Sequence, residues 1–167
     1  MSSLARRLAL IVLLLGGCGY SLSGTLPGHI KSVGVPVFAN RTQKPAVENF
    51  ITRAVIDAFT TDSRLRVVRP ESADSVLEGE IVDYRIEALA FDPRANVREY
   101  RVSVTLNVSF RDVKNNATLW REEGLRHSGD FRVSGQVAET ISREETALRQ
   151  AAVDIGRTIV NRAITRF

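Results

Sequence analysis

Between Tyr100 and Arg111 the chain alternates apolar and polar residues without a break. Tyr100, Val102, Val104, Leu106, Val108 and Phe110 fall on one side; Arg101, Ser103, Thr105, Asn107, Ser109 and Arg111 fall on the other. A β-strand sends successive side chains to opposite faces. The pattern therefore specifies one long strand with a buried face and a wet face, in a sheet covered on one side only. It excludes an all-helical fold, whose apolar residues would recur every three or four positions.

The neighbouring segments supply what covers that sheet. Lys31–Phe38 places Val33, Val35 and Val37 on one face of a strand, with Pro36 demanding an edge or a bulge. Pro45 can open a helix, and Val47, Phe50, Ile51, Ala54, Val55, Ala58 and Phe59 keep helical spacing after it. Val76–Ile86 reads as a strand whose apolar phase slips between Ile81 and Val82, which a β-bulge explains. Lys114–Asn116 forms a turn, and Thr118–Glu123 is the returning hairpin strand. After a polar loop, Ser142 and Glu145 make a capping box for a closing helix that buries Leu148, Ala152, Ile155, Ile159 and Ala163. Gly156 in that helix costs about 1 kcal/mol, which a close approach to the sheet would offset. The order is β-α-β-β-β-α, with Leu65–Val68 as a further short strand. The expected fold is α+β and roll-like: two helices on one face of a four- or five-stranded mixed sheet.

The N-terminus sets where such a domain resides. Arg6 and Arg7 precede the apolar run Leu8–Leu15, and Leu15-Gly16-Gly17-Cys18 closes it. The run is far shorter than the roughly 20 residues of a spanning helix, and it has the layout of a secretory leader. Its end resembles the lipobox of bacterial lipoproteins. Small residues before the cysteine admit the scissile bond to a protease, and a thiolate accepts diacylglycerol. Cys18 is the single cysteine of the chain, so it has no disulfide partner within it. The expectation is a leader over residues 1–17, a lipidated tether over 18–29, and one domain over 30–167. Cys18 would carry N-acyl (palmitate) and S-diacylglycerol chains, and Gly19 after it directs such lipoproteins to the outer membrane.

Composition narrows the function. Apolar residues make up 44% and charged residues 25%, a globular balance. Without Arg6 and Arg7, 21 basic residues face 19 acidic ones, too even for a nucleic-acid surface. Catalytic signatures are missing. His29 and His127 sit in no nucleophile arrangement, and there is no glycine-rich phosphate loop and no paired-histidine metal spacing. Glu78 and Glu80 share a strand face, as paired carboxylates can, but charges on the wet side of a sheet edge account for them. Asp130, three residues from His127, reads as a loop residue. The sequons at Asn40, Asn107 and Asn116 carry no glycan in a bacterial lipoprotein. The expectation is no enzyme, no metal and no cofactor beyond the lipid.

Many short matches in a fixed order carry a family resemblance. They are Cys18–Leu22, Leu26-Pro27, Ile30–Thr42, Leu65–Val68, Ala73–Gly79, Glu99–Val102, Leu119-Trp120 and the closing helix. Together they resemble LptE, the lipopolysaccharide-assembly lipoprotein family of Gram-negative outer membranes. The resemblance implies a plug within the lumen of the LptD β-barrel, anchored on the periplasmic side, that helps deliver lipopolysaccharide to the outer leaflet. It implies lipopolysaccharide contact through basic residues of the loop before the Glu-Tyr strand, here Arg94 and Arg98. A second basic position falls nearest Arg132 and Arg143. The wet strand face, with Arg101, Ser103, Thr105 and Asn107, becomes the candidate barrel-facing surface. The alternative is a non-enzymatic lipoprotein of a secretion-channel or Tol-type assembly.

Overall fold

The computed structural model describes residues 26–165; Cys18 and the leader lie outside them. Six strands form one sheet: β1 (Ser32–Gly34), β2 (Ala39–Asn40), β3 (Arg66–Val68), β4 (Ser75–Phe91), β5 (Val97–Asp112) and β6 (Ala117–Arg132). The helices are α1 (Val47–Asp62) and α2 (Val137–Thr165). The strand order is β3-β1-β4-β5-β6, with β2 also pairing with β4. The β1, β2 and β3 pairings are parallel, and β4-β5-β6 is an antiparallel meander, so the sheet is mixed.

Both helices lie on the face that alternation marks as buried. Val104, Leu106, Val108 and Phe110 of β5 and Leu77 and Ile81 of β4 meet Ile51, Val55 and Phe59 of α1. Leu148, Ile155 and Ile159 of α2 complete the same core. Each large side chain buried there is worth about 1.5–3 kcal/mol relative to exposure. The α1 stripe Val47, Ile51, Val55 and Phe59 recurs every fourth residue, which a helix places on one side. The helix ends at Ser63, in the left-handed conformation at φ 60°, where its N–H donates to the Phe59 carbonyl at 3.0 Å.

The phase slip in β4 is a bulge: register shifts between Ile81 and Asp83, so Val82 has no partner in β5. Pro36 acts as its lack of an N–H requires. It divides the Lys31–Phe38 run, leaving β1 and β2 on either side of an unpaired stretch and adding a strand to the expected number.

Four boundaries differ from the sequence reading. Both long hairpin strands run further: β4 reaches Phe91 and β6 reaches Arg132, through the segment read as a polar loop. A register shift near Gly124, whose φ is +69°, breaks the alternation of β6 and hides its second half. Beyond it Leu125 and Phe131 are buried while Arg126, Ser128 and Asp130 are exposed. The closing helix starts at Val137, so Ser142 and Glu145 lie inside it rather than at its cap. Ser134 tends its start instead, its hydroxyl donating to Glu139 and its N–H to Thr140 Oγ1 at 3.1 Å. Helix α1 starts at Val47, two residues after Pro45.

Gly156 serves a different neighbour from the one expected. A Cβ there would stand 2.7 Å from the Ala54 carbonyl oxygen, so the glycine lets α2 close on α1, not on the sheet. The close helix–sheet approach is at Gly129 of β6, where a Cβ would stand 2.4 Å from the Ala147 carbonyl oxygen.

This one-sided cover makes a paired prediction on β5. Leu106, fully buried, changed to Asp should cost about 3–5 kcal/mol, because it places an unpaired charge in the core. Thr105→Asp, on the opposite face, should cost less than about 1 kcal/mol. Urea melts of the two variants should separate widely; equal losses would mean a sheet covered on both faces.

Candidate functional site

The β4–β5 hairpin carries Arg94 and Arg98 on a loop organised by one carboxylate. Asp92 Oδ1 accepts the backbone N–H groups of Arg94 at 2.8 Å and Asn96 at 2.9 Å. Asn96 Nδ2 donates to Asp92 Oδ2 at 3.1 Å, and the Asp92 N–H closes the loop on the Asn96 carbonyl at 2.8 Å. The Asn96 N–H above all, then its side chain, holds the Asp92 carboxyl below the usual carboxylate range. With Asp92 hydrogen-bonded to the backbone, Arg94 and Arg98 stand exposed; the Arg98 charge adds slightly to the lowering of Asp92, and neither arginine makes a close ion pair among the described residues.

Two further arginines join this end. The Val133 N–H donates to the Arg98 carbonyl at 3.0 Å, which sets the β6–α2 connection beside the hairpin. Arg143 of α2 donates to the Arg132 carbonyl at 3.4 Å while its other nitrogen pairs with Glu139. Arg132 lies 4.0 Å from Glu99. The residues nearest the second basic position therefore converge with Arg98 at one end of the sheet. Their convergence depends on a strand of 16 residues and a turn, which spacing alone did not expose.

The open face of the sheet has a different character. Arg101 grips Asp130 through two bonds of 2.7 and 2.8 Å. Arg126 lies 3.8 Å from Glu87, Arg111 3.7 Å from Glu78, Arg41 2.6 Å from Glu80 and Arg85 3.4 Å from Asp83. Between these pairs runs the column Ser103, Thr105, Asn107 and Ser109. Ser103 departs from the wet-face expectation: it is only 1% exposed. A small side chain on the central strand is roofed by its neighbours, and Arg126 Nη2 donates to its hydroxyl at 3.0 Å. Asn107 Oδ1 accepts the Gly124 N–H at 3.0 Å and so braces the β6 bulge.

The histidines and the carboxylates near them are held in structural contacts. His127 meets Thr158 of α2 at 3.1 Å, whereas Asp130 answers Arg101 on the open face, so the two form no dyad. His29 reaches Asp112 at 2.9 Å. Burial pushes the Asp112 carboxyl up, but hydrogen bonds from Asn115 and His29 outweigh it and hold the carboxyl below its ordinary value. Glu78 and Glu80 are each matched by an arginine. A cluster without any local sequence signature ties three segments together: Glu144 of α2 accepts from Lys44 and from the Tyr84 hydroxyl, each at 2.7 Å. Burial and then Glu144 push the Tyr84 hydroxyl far up, so it stays a neutral donor. Burial would raise Glu144 as well, but the bonds from Lys44 and Tyr84 keep it ionised below the usual range. No group of His, Cys, Asp and Glu among the described residues is arranged to hold a metal ion.

The family model for LptE, lipopolysaccharide-assembly, matches residues 30–163. The chain belongs to the LptE family. LptE proteins are non-enzymatic outer-membrane lipoproteins with a lipidated N-terminal cysteine, and the histidines and carboxylates above are accordingly structural. No curated protein matches the chain in sequence. Solved structures share the fold at low identity. A putative lipoprotein from Caulobacter crescentus superposes with a TM-score of 0.57 at 14% identity, covering 80% of this chain and 89% of that one. Lipoprotein B from Nitrosomonas europaea gives 0.54 at 16%, covering 84% and 90%. PelC from Paraburkholderia phytofirmans, solved as a dodecamer, gives 0.52 at 17%, covering 85% and 94%.

The tip loop of this LptE-family chain should respond to acid. A carboxyl held below its unfolded value contributes order that is complete above about pH 4 and is lost as pH falls through the folded value. Amide exchange at Arg94 and Asn96, corrected for its intrinsic pH dependence, should therefore accelerate at low pH before the core opens. Asp92→Ala should produce the same acceleration, about tenfold, at neutral pH. Unchanged exchange in the variant would mean that Asp92 does not order the loop.

Proposed function

We propose that the arginine tip binds the phosphates of lipopolysaccharide while the open sheet face docks within an LptD-type barrel. The observation that carries this reading is the contrast in ion pairing. Arg85, Arg101, Arg111 and Arg126 on the open face have carboxylates within ion-pair distance, whereas no such contact is made by Arg94 or Arg98 at the tip among the described residues, the Arg98 charge acting on Asp92 only as a minor, longer-range influence. An unpaired, exposed guanidinium offers its donor fork to a phosphate and strips no existing partner in doing so. A charge-balanced polar surface suits the polar lumen of a large barrel, because docking it strands no unpaired charge. Arg101, Ser103, Thr105 and Asn107 are the barrel-facing set. Ser103 contributes to it from beneath Arg126. Residues 1–17 are the cleaved leader, and 18–29 form the tether that carries lipid on Cys18.

The test uses two pairs of variants in cells that carry the barrel. Arg94→Asp with Arg98→Asp should weaken lipopolysaccharide binding by at least about tenfold, the equivalent of one lost charge-assisted bond. Barrel recovery should be unchanged. Thr105→Glu with Ser128→Glu adds charge to the open face and should lower barrel recovery while the purified chain still binds lipopolysaccharide. Normal lipopolysaccharide binding by the arginine variant would remove the tip as the site. Full barrel recovery by the glutamate variant would remove the face. Recovery as a ring of copies without a barrel would favour a secretion-type assembly.

A further inference from the structure

We infer that an apolar strip beside the arginine tip, on the helix side of the sheet, holds an acyl chain of the lipid whose phosphates the tip binds; this rests on the phosphate-binding reading above. The strip exists because the two helices cover the sheet unequally. Helix α1 begins at Val47, and just before it Lys44 meets Glu144 of α2 at 2.7 Å. Helix α2 has already begun at Val137, so its first two turns run with no helix beside them among the described residues. Val137, Ile141, Glu144 and Leu148 recur at helical spacing and share one side of α2. Leu148 of that stripe lies in the core, whereas Ile141 is 54% exposed and Val137 78%. The core-facing stripe therefore continues past the point where the core ends.

The sheet extends the same apolar surface toward the tip. Ile86 of β4 stands directly opposite Val102 of β5, and Val102 is buried with Phe131 and Ala147 of α2. Opposed residues share a face, so Ile86 is on the helix side, where it is 41% exposed. Tyr100, its ring stacked on Phe131 at 5.6 Å, follows on that face of β5, and Arg98 follows Tyr100 by the same alternation. One end of the strip is closed by the Lys44–Glu144–Tyr84 cluster. The other end opens on Arg98, which makes no close ion pair among the described residues. Tyr84 lies opposite Val104, six residues along β5 from Arg98, so the strip is roughly 20 Å long. One leaflet of hydrocarbon, half of a bilayer core, is about 15 Å deep. A cationic mouth with an apolar strip behind it is complementary to a lipid, anionic at its head and apolar along its chain. A protein segment suits the strip less well. Ile86, Val137 and Ile141 have no polar side-chain atoms, and the Tyr84 hydroxyl is already bonded to Glu144, so a backbone laid over them would bury its polar groups unpaired.

The experiment measures binding of the full lipoprotein, in one mild detergent, to two probes: lipopolysaccharide, and the same lipopolysaccharide with its acyl chains removed and its phosphates kept. The wild-type chain should bind the intact probe at least about tenfold more tightly, the effect of burying as few as two methylenes. Val137→Gln with Ile141→Gln changes two exposed helix positions to a residue that keeps helix propensity. It should reduce binding of the intact probe to the level of the deacylated one and leave deacylated binding unchanged. Equal wild-type affinity for the two probes would overturn the acyl assignment while the phosphate reading stands. So would a glutamine variant that still prefers the intact probe; if that variant also lost barrel recovery, the strip would belong to the barrel. Normal binding of the deacylated probe by the Arg94→Asp, Arg98→Asp variant would instead overturn the phosphate reading, and the acyl inference with it.

Discussion

The structure depends on the single buried face of β5. This strand has a long neighbour on each side, and its alternation commits Val102, Val104, Leu106, Val108 and Phe110 to the helices. A one-residue slip would turn all of them to water. The register of β4 and β6 is thereby fixed, bulges included. So is the placement of the helices, which bury the apolar side and leave the other side polar. Two glycines tighten the arrangement by admitting backbone where a Cβ would collide: Gly156 against α1 and Gly129 against α2.

That asymmetry separates two kinds of arginine. On the open face, antiparallel pairing sets carboxylates beside Arg85, Arg101, Arg111 and Arg126, and most of the charge is balanced within the sheet. At the hairpin end the nearby carboxylate, Asp92, is hydrogen-bonded to backbone N–H groups, so Arg94 and Arg98 have no close ion pair and Arg98 acts on Asp92 only at longer range. The first described residues are at the other end, where His29 bonds Asp112, the last residue of β5. The tip therefore stands a full strand length, about 50 Å, from the end at which the tether enters the domain. In the proposed reading, a lipid anchor and a phosphate-binding tip so separated act on different levels of one assembly.

The elements governed by local periodicity were legible in the sequence. The α1 stripe, the β5 alternation and the phase slip of β4 each reflect side-chain geometry over a few residues. Elements set by tertiary contact were not. The second half of β6 looked like a polar loop because its alternation restarts after Gly124, and α2 acquired a false start at Ser142 because a capping pattern also occurs within helices. Ser103 could be placed on the correct face, but its burial comes from Arg126 on a neighbouring strand. The tip was legible in part. Arg94 and Arg98 came from resemblance and lie together on one hairpin, whereas the approach of Arg132 and Arg143 required the full course of β6. The Lys44–Glu144–Tyr84 cluster joins residues up to 100 positions apart and leaves no local signature.

The central claim is that one end of the domain binds phosphate through free guanidiniums while the open face docks through a surface already charge-balanced. Salt separates these directly. Exposed guanidinium–phosphate contacts are screened as the Debye length falls from about 10 Å at 0.1 M toward 3 Å at 1 M, whereas internally neutralised, desolvated surfaces are screened far less. The measurement is the affinity of the wild-type lipoprotein for lipopolysaccharide and for its barrel across that range of ionic strength. A steep loss of lipopolysaccharide binding with nearly constant barrel association is the predicted result. Parallel salt dependence of the two, or lipopolysaccharide binding that ignores salt, would contradict it.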